Sequence, residues 1–351
     1  MNTLHKKKVL HILESNYFSG AENVVCQIIN MFRDSDVDMI YCSPSGQIQE
    51  ALNERNISHV SIDNLSIKEI RRVVKEVKPD VIHAHDAKAA VLVSLSGYAS
   101  KVVAQIHGNH PNMRGITPKS LSVAFFSFFW KKIIWVSNCS LEEYKYKNVV
   151  RKKSLVLPNI IRKDDISNRL SQSFPCDKAY DCIILGRINS IKNPIRAINI
   201  IKSVKKLYPD FSAVFVGNGD LLEECQSLVR HENLSDTISF LGYINNPIGV
   251  LNKSKILLMT SIYEGTPMCA IEAMALGKPI VSTPTDGIVD LVEQNVTGFY
   301  SEDDDLIAEK IIALLKDRTA YEKMVESTKI RFDMLMDESS YIESLSKVYN
   351  S

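Results

Sequence analysis

Short runs of apolar and often β-branched residues alternate along the chain with longer stretches of helical period. Most of the short runs are apolar nearly throughout, a pattern typical of strands covered on both faces in a parallel sheet. Strands separated by helices in this way predict βαβ units and a doubly wound α/β architecture. The predicted strands are Lys8–Leu13, Val37–Cys42, His59–Ile62, Asp80–His83, Val102–Ile106, Ile133–Val136 and Ser154–Leu157, and then, after a gap, Cys182–Leu185, Ala213–Val216, Ile238–Leu241, Ile256–Met259 and Pro279–Ser282.

A polar segment divides the two series of strands. It runs from Pro158 to Tyr180, is bracketed by Pro158 and Pro175, and has no strong period, which is typical of a connection between domains. The 351 residues of the chain also exceed what one hydrophobic core usually holds. We therefore predict Rossmann-like domains over residues 1–160 and 181–334, joined by a linker over 161–180. In such proteins the ligand site lies at the carboxyl edges of the strands, facing the cleft.

The last stretch of the chain, Tyr321–Asn350, contains no strand candidate and predicts a helix. The apolar face of this helix is predicted to consist of Phe332, Met334, Leu335, Tyr341, Leu345 and Tyr349.

Composition and charge narrow the class of protein. Apolar residues make up 45% of the chain and charged residues 24%, as in ordinary globular proteins. The net charge of +1, with basic and acidic residues interleaved, gives no field that would favour nucleic acid. The N-terminal apolar run is too short for a secretory signal, and no stretch reaches the roughly 18 apolar residues that span a bilayer. These features, with an odd number of cysteines and no CxxC pair, predict a cytoplasmic protein with reduced thiols, unless it lies on a membrane surface.

The strongest chemical signal is the segment EGTPMCAIEAMALGKP, residues 264–279, which follows a predicted strand and so emerges at a carboxyl edge. Thr266 is suited to cap a helix and Pro267 to its first position. Gly277 is suited to the end of that helix. Free amides and the positive dipole end at such a helix N-terminus stabilise an anion.

Two carboxylates flank this helix start. Glu264 lies in the loop and Glu272 inside the helix, and each carboxylate offers two acceptor oxygens suited to paired sugar hydroxyls. The alternative is that Glu264 is a solvated loop residue and Glu272 an exposed helix residue. The apolar neighbours of Glu272 favour enclosure, which requires a partner for the charge.

A second strand-to-helix turn, residues 185–194, reads LGRINSIKNP. Gly186 frees the backbone at the strand end, Arg187 offers a rigid fork for two phosphate oxygens, and Lys192 adds a mobile cation. Positioned cations stabilise the charge that develops on a departing diphosphate. The alternative is a pair of surface cations.

Weaker signals occupy three other turns. Gly217, in a lone GxG after another predicted strand, either approaches a phosphate or makes a tight turn, and we favour the turn. Ser19 and Gly20 follow the first predicted strand, where they allow a bound group to approach the backbone or simply begin a helix. His107 ends a strand, where it would orient a sugar hydroxyl unless it is structural.

His83 and His85 are two residues apart on one strand and therefore share a face. They suggest a metal pair, but the sequence shows no third ligand cluster. We predict no metal site.

Together these residues resemble the retaining family 4 glycosyltransferases of the GT-B fold, nearly from end to end. The segment from Glu264 to Glu272 is similar to the family's E-x7-E motif with its A-x-A-x-G-x-P tail. Residues 186–193 are similar to its G-R-x4-K diphosphate motif. Residues 19–22 are similar to its G-G-A-E loop, with serine replacing the first glycine, and His107-Gly108 to its first-domain histidine motif. The C-terminal helix, residues 335–351, is similar to the segment that crosses back to the first domain.

The resemblance implies a metal-independent enzyme without a cofactor, whose donor is a nucleotide diphosphate sugar, UDP-sugar favoured. The resemblance implies that Glu272 contacts the ribose and that His107 contacts the transferred sugar or the acceptor. It further implies that the donor sugar is contacted by Glu264 with Gly265, Thr266 and Pro267. The residues implied to contact the diphosphate are Arg187, Lys192, Gly186 and Gly20. The chain departs from the family pattern at Thr285–Asp290, where the family often has glycines followed by Pro-Glu.

The acceptor is expected to be a glycan or lipid-linked molecule, because the family often acts in cell-surface polysaccharide or glycolipid synthesis. Residues 118–132 are rich in phenylalanine and end in two lysines, which favours either packing on the first sheet or contact with a membrane interface.

Two other classes of protein are compatible with the same residues. A nucleotide-sugar epimerase on the same fold would need no acceptor, and a non-catalytic scaffold would bind donor without turnover. A phosphorylase would need a cofactor lysine site that we do not find. A dehydrogenase and a P-loop kinase are disfavoured because GxGxxG and GxxxxGK[ST] are missing from the expected turns.

Overall fold

A computed structural model describes residues 6–108, 110–172 and 176–351. The chain divides into two compact units, one formed by the residues up to Ile160 together with Asp337–Ser351, and the other by Ile161–Met336. Pro175, which helped to bracket the predicted linker, lies outside the described residues, as does the start of the N-terminal run.

The first unit is built on a parallel seven-stranded sheet with the order β3-β2-β1-β4-β5-β6-β7. Every residue of β4 and β5 is buried, which confirms the prediction of strands covered on both faces. Its strands are β1 Lys7–Ile12, β2 Val37–Pro44, β3 His59–Ile62, β4 Val81–His85, β5 Val102–Ile106, β6 Lys132–Trp135 and β7 Ser154–Val156. Its helices are α1 Gly20–Met31, α2 Ile48–Glu54, α3 Ile67–Val77, α4 Ala87–Val93, α5 Pro111–Arg114, α6 Pro118–Ser127, α7 Asn138–Glu142 and α8 Lys147–Val150, with single π- and 3₁₀-turns at Ser94–Tyr98, Ala99–Lys101 and Arg151–Lys153.

The second unit is built on a parallel six-stranded sheet with the order β10-β9-β8-β11-β12-β13. Its strands are β8 Tyr180–Leu185, β9 Ala213–Val216, β10 Ile238–Phe240, β11 Ser254–Met259, β12 Ile280–Ser282 and β13 Gly298–Tyr300. Its helices are α9 Lys163–Ser171, α10 Pro194–Leu207, α11 Leu222–His231, α12 Ile248–Lys253, α13 Met268–Ala275, α14 Asp286–Leu291, α15 Asp304–Lys316 and α16 Arg318–Leu335.

The strand order reverses direction once in each sheet, between β1 and β4 and between β8 and β11. Open parallel sheets bind ligands outside the carboxyl ends of the strands at such a reversal, where the flanking loops diverge. Each unit therefore has one topologically favoured place for a ligand.

The C-terminal stretch differs from the single predicted helix. It forms two helices, α16 and then α17, Glu338–Asn350. Helix α16 belongs to the second unit and α17 to the first. Asp337 starts α17 by accepting a hydrogen bond from the Ser340 amide at 3.0 Å. Met334 is 71% exposed, so its assignment to the apolar face was wrong, whereas Tyr341 and Tyr349 are buried.

Two other features differ from the sequence prediction. β13 was not predicted, because Gly298–Tyr300 is too short to show a period and only its glycine is buried. The predicted linker over 161–180 contains α9 and the first residue of β8, and the contacts place it with the second unit.

Candidate functional site

Two turns meet at the reversal point of the second sheet. One follows β8 and the other follows β11, and the two strands are neighbours. The Lys192 ammonium forms an ion pair with Oε1 of Glu264, and Ser261 Oγ donates to the same oxygen at 2.6 Å. Thr260 Oγ1 also donates to the carbonyl oxygens of Lys192 at 3.1 Å and Asn193 at 2.9 Å. The structure therefore brings together Lys192 and Glu264, which are far apart in the sequence.

The ion pair keeps the lysine charged. Burial is the largest influence on the pKa of Lys192 and acts to lower it, but the Glu264 carboxylate and its hydrogen bond help to outweigh burial, so the pKa is raised above 10.5. Side-chain exposure is 27% for Lys192 and 12% for Glu264. A shielded cation of this kind is suited to hold phosphate oxygens.

A pocket lies beside this ion pair. It is lined by the ends of β8 and β11 together with Gly186, Arg187 and Lys192. Gly186 has φ of +144°, and a Cβ placed on it would lie 3.3 Å from Cε of Lys192. The glycine therefore gives the lysine side chain room to cross the strand end, while Arg187 is exposed at the pocket.

Helix α13 follows the Glu264 loop, but it starts one residue later than predicted. Pro267 occupies the cap position, without a side-chain cap, so the prediction that Thr266 caps the helix was wrong. Gly265, Thr266 and Pro267 are all buried, and Gly277 ends the helix with φ of +67°. The buried loop places the start of α13 at the same sheet edge as Lys192.

Glu272, inside α13, is buried and has a charged partner that the sequence did not reveal. Arg169 Nη1 donates to Glu272 Oε1 at 2.8 Å, with side-chain exposures of 12% and 7% respectively. Arg169 lies on α9, whose backbone is tied to the unit by Asn246 Nδ2 donating to the Arg169 carbonyl oxygen at 2.6 Å. The spacing of Asp165 and Arg169 was the only available signal, and it points along α9 rather than to Glu272.

The segment that departs from the family pattern packs directly on the Glu264 loop. A Cβ placed on Gly287 would lie 1.5 Å from the carbonyl oxygen of Gly265. This position therefore requires glycine, because any side chain would displace the loop that carries Glu264. Thr285, at the start of α14, is also buried.

Gly217 has a structural explanation. Its φ is +149°, and an added Cβ would lie 1.8 Å from the carbonyl oxygen of Gly186. Its amide already donates to the Gly242 carbonyl oxygen at 2.8 Å. The structure thus supports the tight-turn interpretation of Gly217 and gives its amide no free role toward phosphate.

In the first unit, Ser19 and Gly20 begin α1 at the carboxyl end of β1. The Glu22 carboxylate accepts hydrogen bonds from the Ser19 amide at 3.1 Å and the Ser19 hydroxyl at 2.5 Å, so the serine is held by a helix cap. Gly20 is exposed, and a Cβ there would meet nothing within 4 Å. Packing within the unit does not require glycine at this position, which leaves the predicted approach of a bound group as a reason for it.

His107 follows β5 and lies at the edge of a group of buried histidines. Its Nε2 is 2.8 Å from Nδ1 of His85, and burial lowers its pKa while the Asp86 charge acts to raise it. The sequence showed no third ligand beside His83 and His85, but the register of β1 and β4 places His11 opposite His83. One nitrogen from each of these three histidines lies within 4.8 Å of the others, so they are the described residues best placed to hold a metal.

Helix α6 and the residues just after it carry both buried and exposed apolar side chains. Val123 and Ala124 are buried, whereas Phe125, Phe128 and Phe129 at its end are 60%, 66% and 55% exposed. In the part of the chain that the structure describes, no helix is long and apolar enough to cross a membrane.

The architecture defines the class of protein. The structure is similar to HepE from Anabaena in complex with UDP-glucose, with a TM-score of 0.84 and 18% identity over 98% of this chain and 99% of that one. Two Rossmann-like units with the C-terminal helix in the first unit thus make this a GT-B fold.

The sequence comparisons give the family. The family described as Glycosyl transferases group 1 matches residues 168–331, and Glycosyltransferase Family 4 matches residues 18–165. The chain therefore belongs to the family 4 glycosyltransferases of the GT-B fold. It is 23% identical to UDP-Gal:alpha-D-GlcNAc-diphosphoundecaprenol alpha-1,3-galactosyltransferase of Escherichia coli, over 87% of each chain.

A further relative matches at nearly full length. It is the GalNAc-alpha-(1->4)-GalNAc-alpha-(1->3)-diNAcBac-PP-undecaprenol alpha-1,4-N-acetyl-D-galactosaminyltransferase of Campylobacter jejuni, 22% identical over 98% of this chain and 99% of that protein.

Proposed function

We propose that this glycosyltransferase moves a hexose or N-acetylhexosamine from a UDP-sugar to a glycan or lipid-linked acceptor, with retention of configuration, in cell-surface polysaccharide or glycolipid synthesis. The observation that carries the proposal is the contact between Lys192 and Glu264 at the reversal point of the second sheet. It joins the predicted phosphate and sugar ligands into one site, with the start of α13 beside them.

Each chemical group of the donor is matched by residues of complementary chemistry. The diphosphate takes the cations Arg187 and Lys192 and the free amides at the start of α13, because each favours negative charge. The sugar hydroxyls donate to Glu264, and the ribose hydroxyls donate to Glu272. Gly20 and Gly186 allow close approach of the backbone to the phosphates.

Transfer breaks the bond between the anomeric carbon and the β-phosphate oxygen, and the electron pair of that bond stays on the phosphate. Arg187 and Lys192 stabilise this charge as it develops, so the reaction proceeds without a metal or cofactor. The acceptor hydroxyl attacks the face that the phosphate leaves, which retains configuration, and its proton passes to a phosphate oxygen. Glu264 is not assigned as nucleophile, because attack by the acceptor on the face that the phosphate leaves needs no covalent intermediate with the enzyme.

The named relatives support the substrate classes. The Escherichia coli protein is named for UDP-Gal and an acceptor on diphosphoundecaprenol, and the Campylobacter jejuni protein for an acceptor on undecaprenol. We therefore favour UDP as the nucleotide and a polyprenyl-diphosphate-linked sugar as the acceptor.

A lipid-linked acceptor calls for contact with a membrane surface. The exposed Phe125, Phe128 and Phe129 lie beside Lys131 and Lys132, a combination suited to an anionic interface. Replacing Phe125 and Phe128 with serine is expected to reduce co-sedimentation with vesicles containing anionic lipid, and replacing the exposed Ile330 of α16 serves as the control. Equal sedimentation of all three proteins would contradict this membrane contact.

The test of the proposed function is transfer with EDTA present. The protein is incubated with UDP-glucose, UDP-galactose, UDP-GlcNAc, UDP-GalNAc or the GDP-sugars, and with a polyprenyl-diphosphate-linked GlcNAc acceptor. UDP release is followed together with the anomeric coupling of the product. Arg187→Ala is expected to lower turnover, and Arg318→Ala is the matched control because Arg318 is 89% exposed on α16.

Each outcome has a distinct meaning. An acceptor-dependent α-linked product that tolerates EDTA supports the proposal. Interconversion of UDP-sugars without acceptor would indicate an epimerase. Binding without any turnover would indicate a scaffold, and an inverted product would refute retention.

A further inference from the structure

We propose that His85 is a positioning residue that fixes the orientation and the proton of His107, with His11 supporting it from behind. The inference deepens the proposed function, because His107 is the residue predicted to face the transferred sugar or acceptor. The structure shows the three imidazoles in a row at the reversal point of the first sheet.

The row is continuous. His11 Nδ1 lies 3.0 Å from His85 Nε2, and His85 Nδ1 lies 2.8 Å from His107 Nε2. Stacked rings accompany both contacts, with centroids 5.3 Å and 5.1 Å apart. Both nitrogens of His85 are therefore engaged, one toward the interior and one toward His107.

The row is anchored to rigid elements. His11 lies on β1 and His85 on β4, and His83 stacks on His85 with ring centroids 4.4 Å apart. His83 in turn lies 2.9 Å from the hydroxyl of Tyr349 on α17. The strands thus fix the rings before any ligand binds.

Burial disfavours the charged form of these imidazoles. His11, His83 and His85 are at most 3% exposed, and burial lowers the pKa of His11 to about 3 and those of His83 and His85 well below 6.5. In a neutral imidazole one nitrogen donates and the other accepts. The row therefore has only two arrangements, with all its hydrogen bonds pointing toward His107 or all pointing away from it.

The inner end of the row decides between these arrangements. Among the described residues, Nε2 of His11 is buried without a hydrogen-bond partner. If the bonds pointed inward, this nitrogen would carry a buried, unpaired N–H, which is rarer in proteins than a buried acceptor without a partner. The bonds therefore run outward, from His11 to His85 to His107.

The direction of these hydrogen bonds determines which ring nitrogen of His107 carries the proton. His107 accepts at Nε2, so its proton resides on Nδ1, the nitrogen that the described residues leave available. His107 then presents a neutral N–H donor to an oxygen of the sugar or the acceptor. The Asp86 carboxylate, which accepts from the His107 amide at 3.2 Å, holds the backbone of the same residue.

The test uses nitrogen NMR on histidine-labelled protein, where protonated and unprotonated ring nitrogens are well separated. The wild-type protein is compared with His85→Asn, His85→Leu and the control His231→Asn, since His231 is 83% exposed. An asparagine amide reaches the place of imidazole Nδ1 and still donates, whereas leucine does not. We expect His107 to carry its proton on Nδ1 in the wild type and in His85→Asn, and to show mixed tautomers in His85→Leu.

Activity gives a second readout. His85→Leu is expected to lower kcat by about tenfold to a hundredfold, as losses of supporting hydrogen bonds do, with the KM for donor little changed. His85→Asn is expected to recover most of that loss. If the wild type does not transfer sugar, the proposed function fails, but the NMR result still tests the positioning.

Two results would overturn the positioning role. One is a wild-type His107 that carries its proton on Nε2, or a tautomer that does not change in His85→Leu. The other is one equivalent of Zn²⁺ that resists EDTA, because His11, His83 and His85 would then be metal ligands rather than a hydrogen-bonded row.

Discussion

Replacing either partner of the ion pair between Arg169 and Glu272 is expected to lower the stability, but by different amounts. Both side chains are mostly enclosed, at 12% and 7% exposure, and their charged atoms are 2.8 Å apart. Removing one partner of a buried pair costs about 3–5 kcal/mol, because a charge remains in a poor solvent. We expect Arg169→Met to lower the free energy of unfolding by about 3 kcal/mol, the lower end of that range, because a little solvent reaches the pair.

The reverse change is milder. Glu272→Gln keeps the shape and an acceptor oxygen, and Arg169 still has Asp165 at 4.0 Å. We expect a loss of about 1 kcal/mol, that of weakening one hydrogen bond to a charged group. In the double variant the two losses should not add, with a coupling energy of about 1–2 kcal/mol.

The affinity for UDP should change in the opposite order to the stability. Because Glu272 is proposed to accept from the ribose, Glu272→Gln should weaken UDP binding more than Arg169→Met does. Urea denaturation measures the stabilities and calorimetric titration with UDP measures the affinities, with Arg318→Met as the control. Equal stability of Arg169→Met and wild type would show that Glu272 is solvated well enough to lose its partner without cost.

Other predictions concern the buried histidines of the first unit and the glycines Gly217 and Gly20. Because burial lowers the pKa values of His11, His83 and His85, the unfolded chain binds more protons than the folded one in acid. Stability is therefore complete above about pH 6.5 and falls below it by up to about 1.4 kcal/mol per pH unit for each histidine; denaturation midpoints that are constant from pH 7 to pH 5 would contradict this. Gly217→Ala should lower the melting temperature strongly, because its Cβ would lie 1.8 Å from a carbonyl oxygen. If Gly217→Ala melts like the wild type, the packing argument for Gly217 is wrong. Gly20→Ala should leave the melting temperature unchanged, and a lower UDP affinity in that variant would indicate contact with the bound donor.

The sheets were predictable because their physics is local. A strand buried on both faces is mostly apolar, and β4 and β5 show this in a few consecutive residues, with His83, His85 and Gln105 as buried polar exceptions. β13 was missed because its three residues carry too little pattern. Met334 was placed on the apolar face by its hydropathy, but the stretch forms two helices rather than one, and Met334 lies exposed near the end of α16.

The site was predictable only in part. Glycine, proline and carboxylate spacing located Glu264 and Glu272, because a strand, a turn and a helix start leave a local signature. The partners of these residues come from distant segments: Arg169 from α9 and His11 from β1 are set by packing and strand register. A single sequence carries no local sign of such pairs.

The most direct test of the donor site is the thermal shift of the protein with UDP in the presence of EDTA. We compare wild type, Glu272→Ala and the exposed control Arg318→Ala. We predict a metal-independent stabilisation by UDP that is larger than that by GDP or ADP, is kept in Arg318→Ala and is lost in Glu272→Ala. An undiminished shift in Glu272→Ala, or no shift with any nucleotide in the wild type, would contradict a donor site at α13.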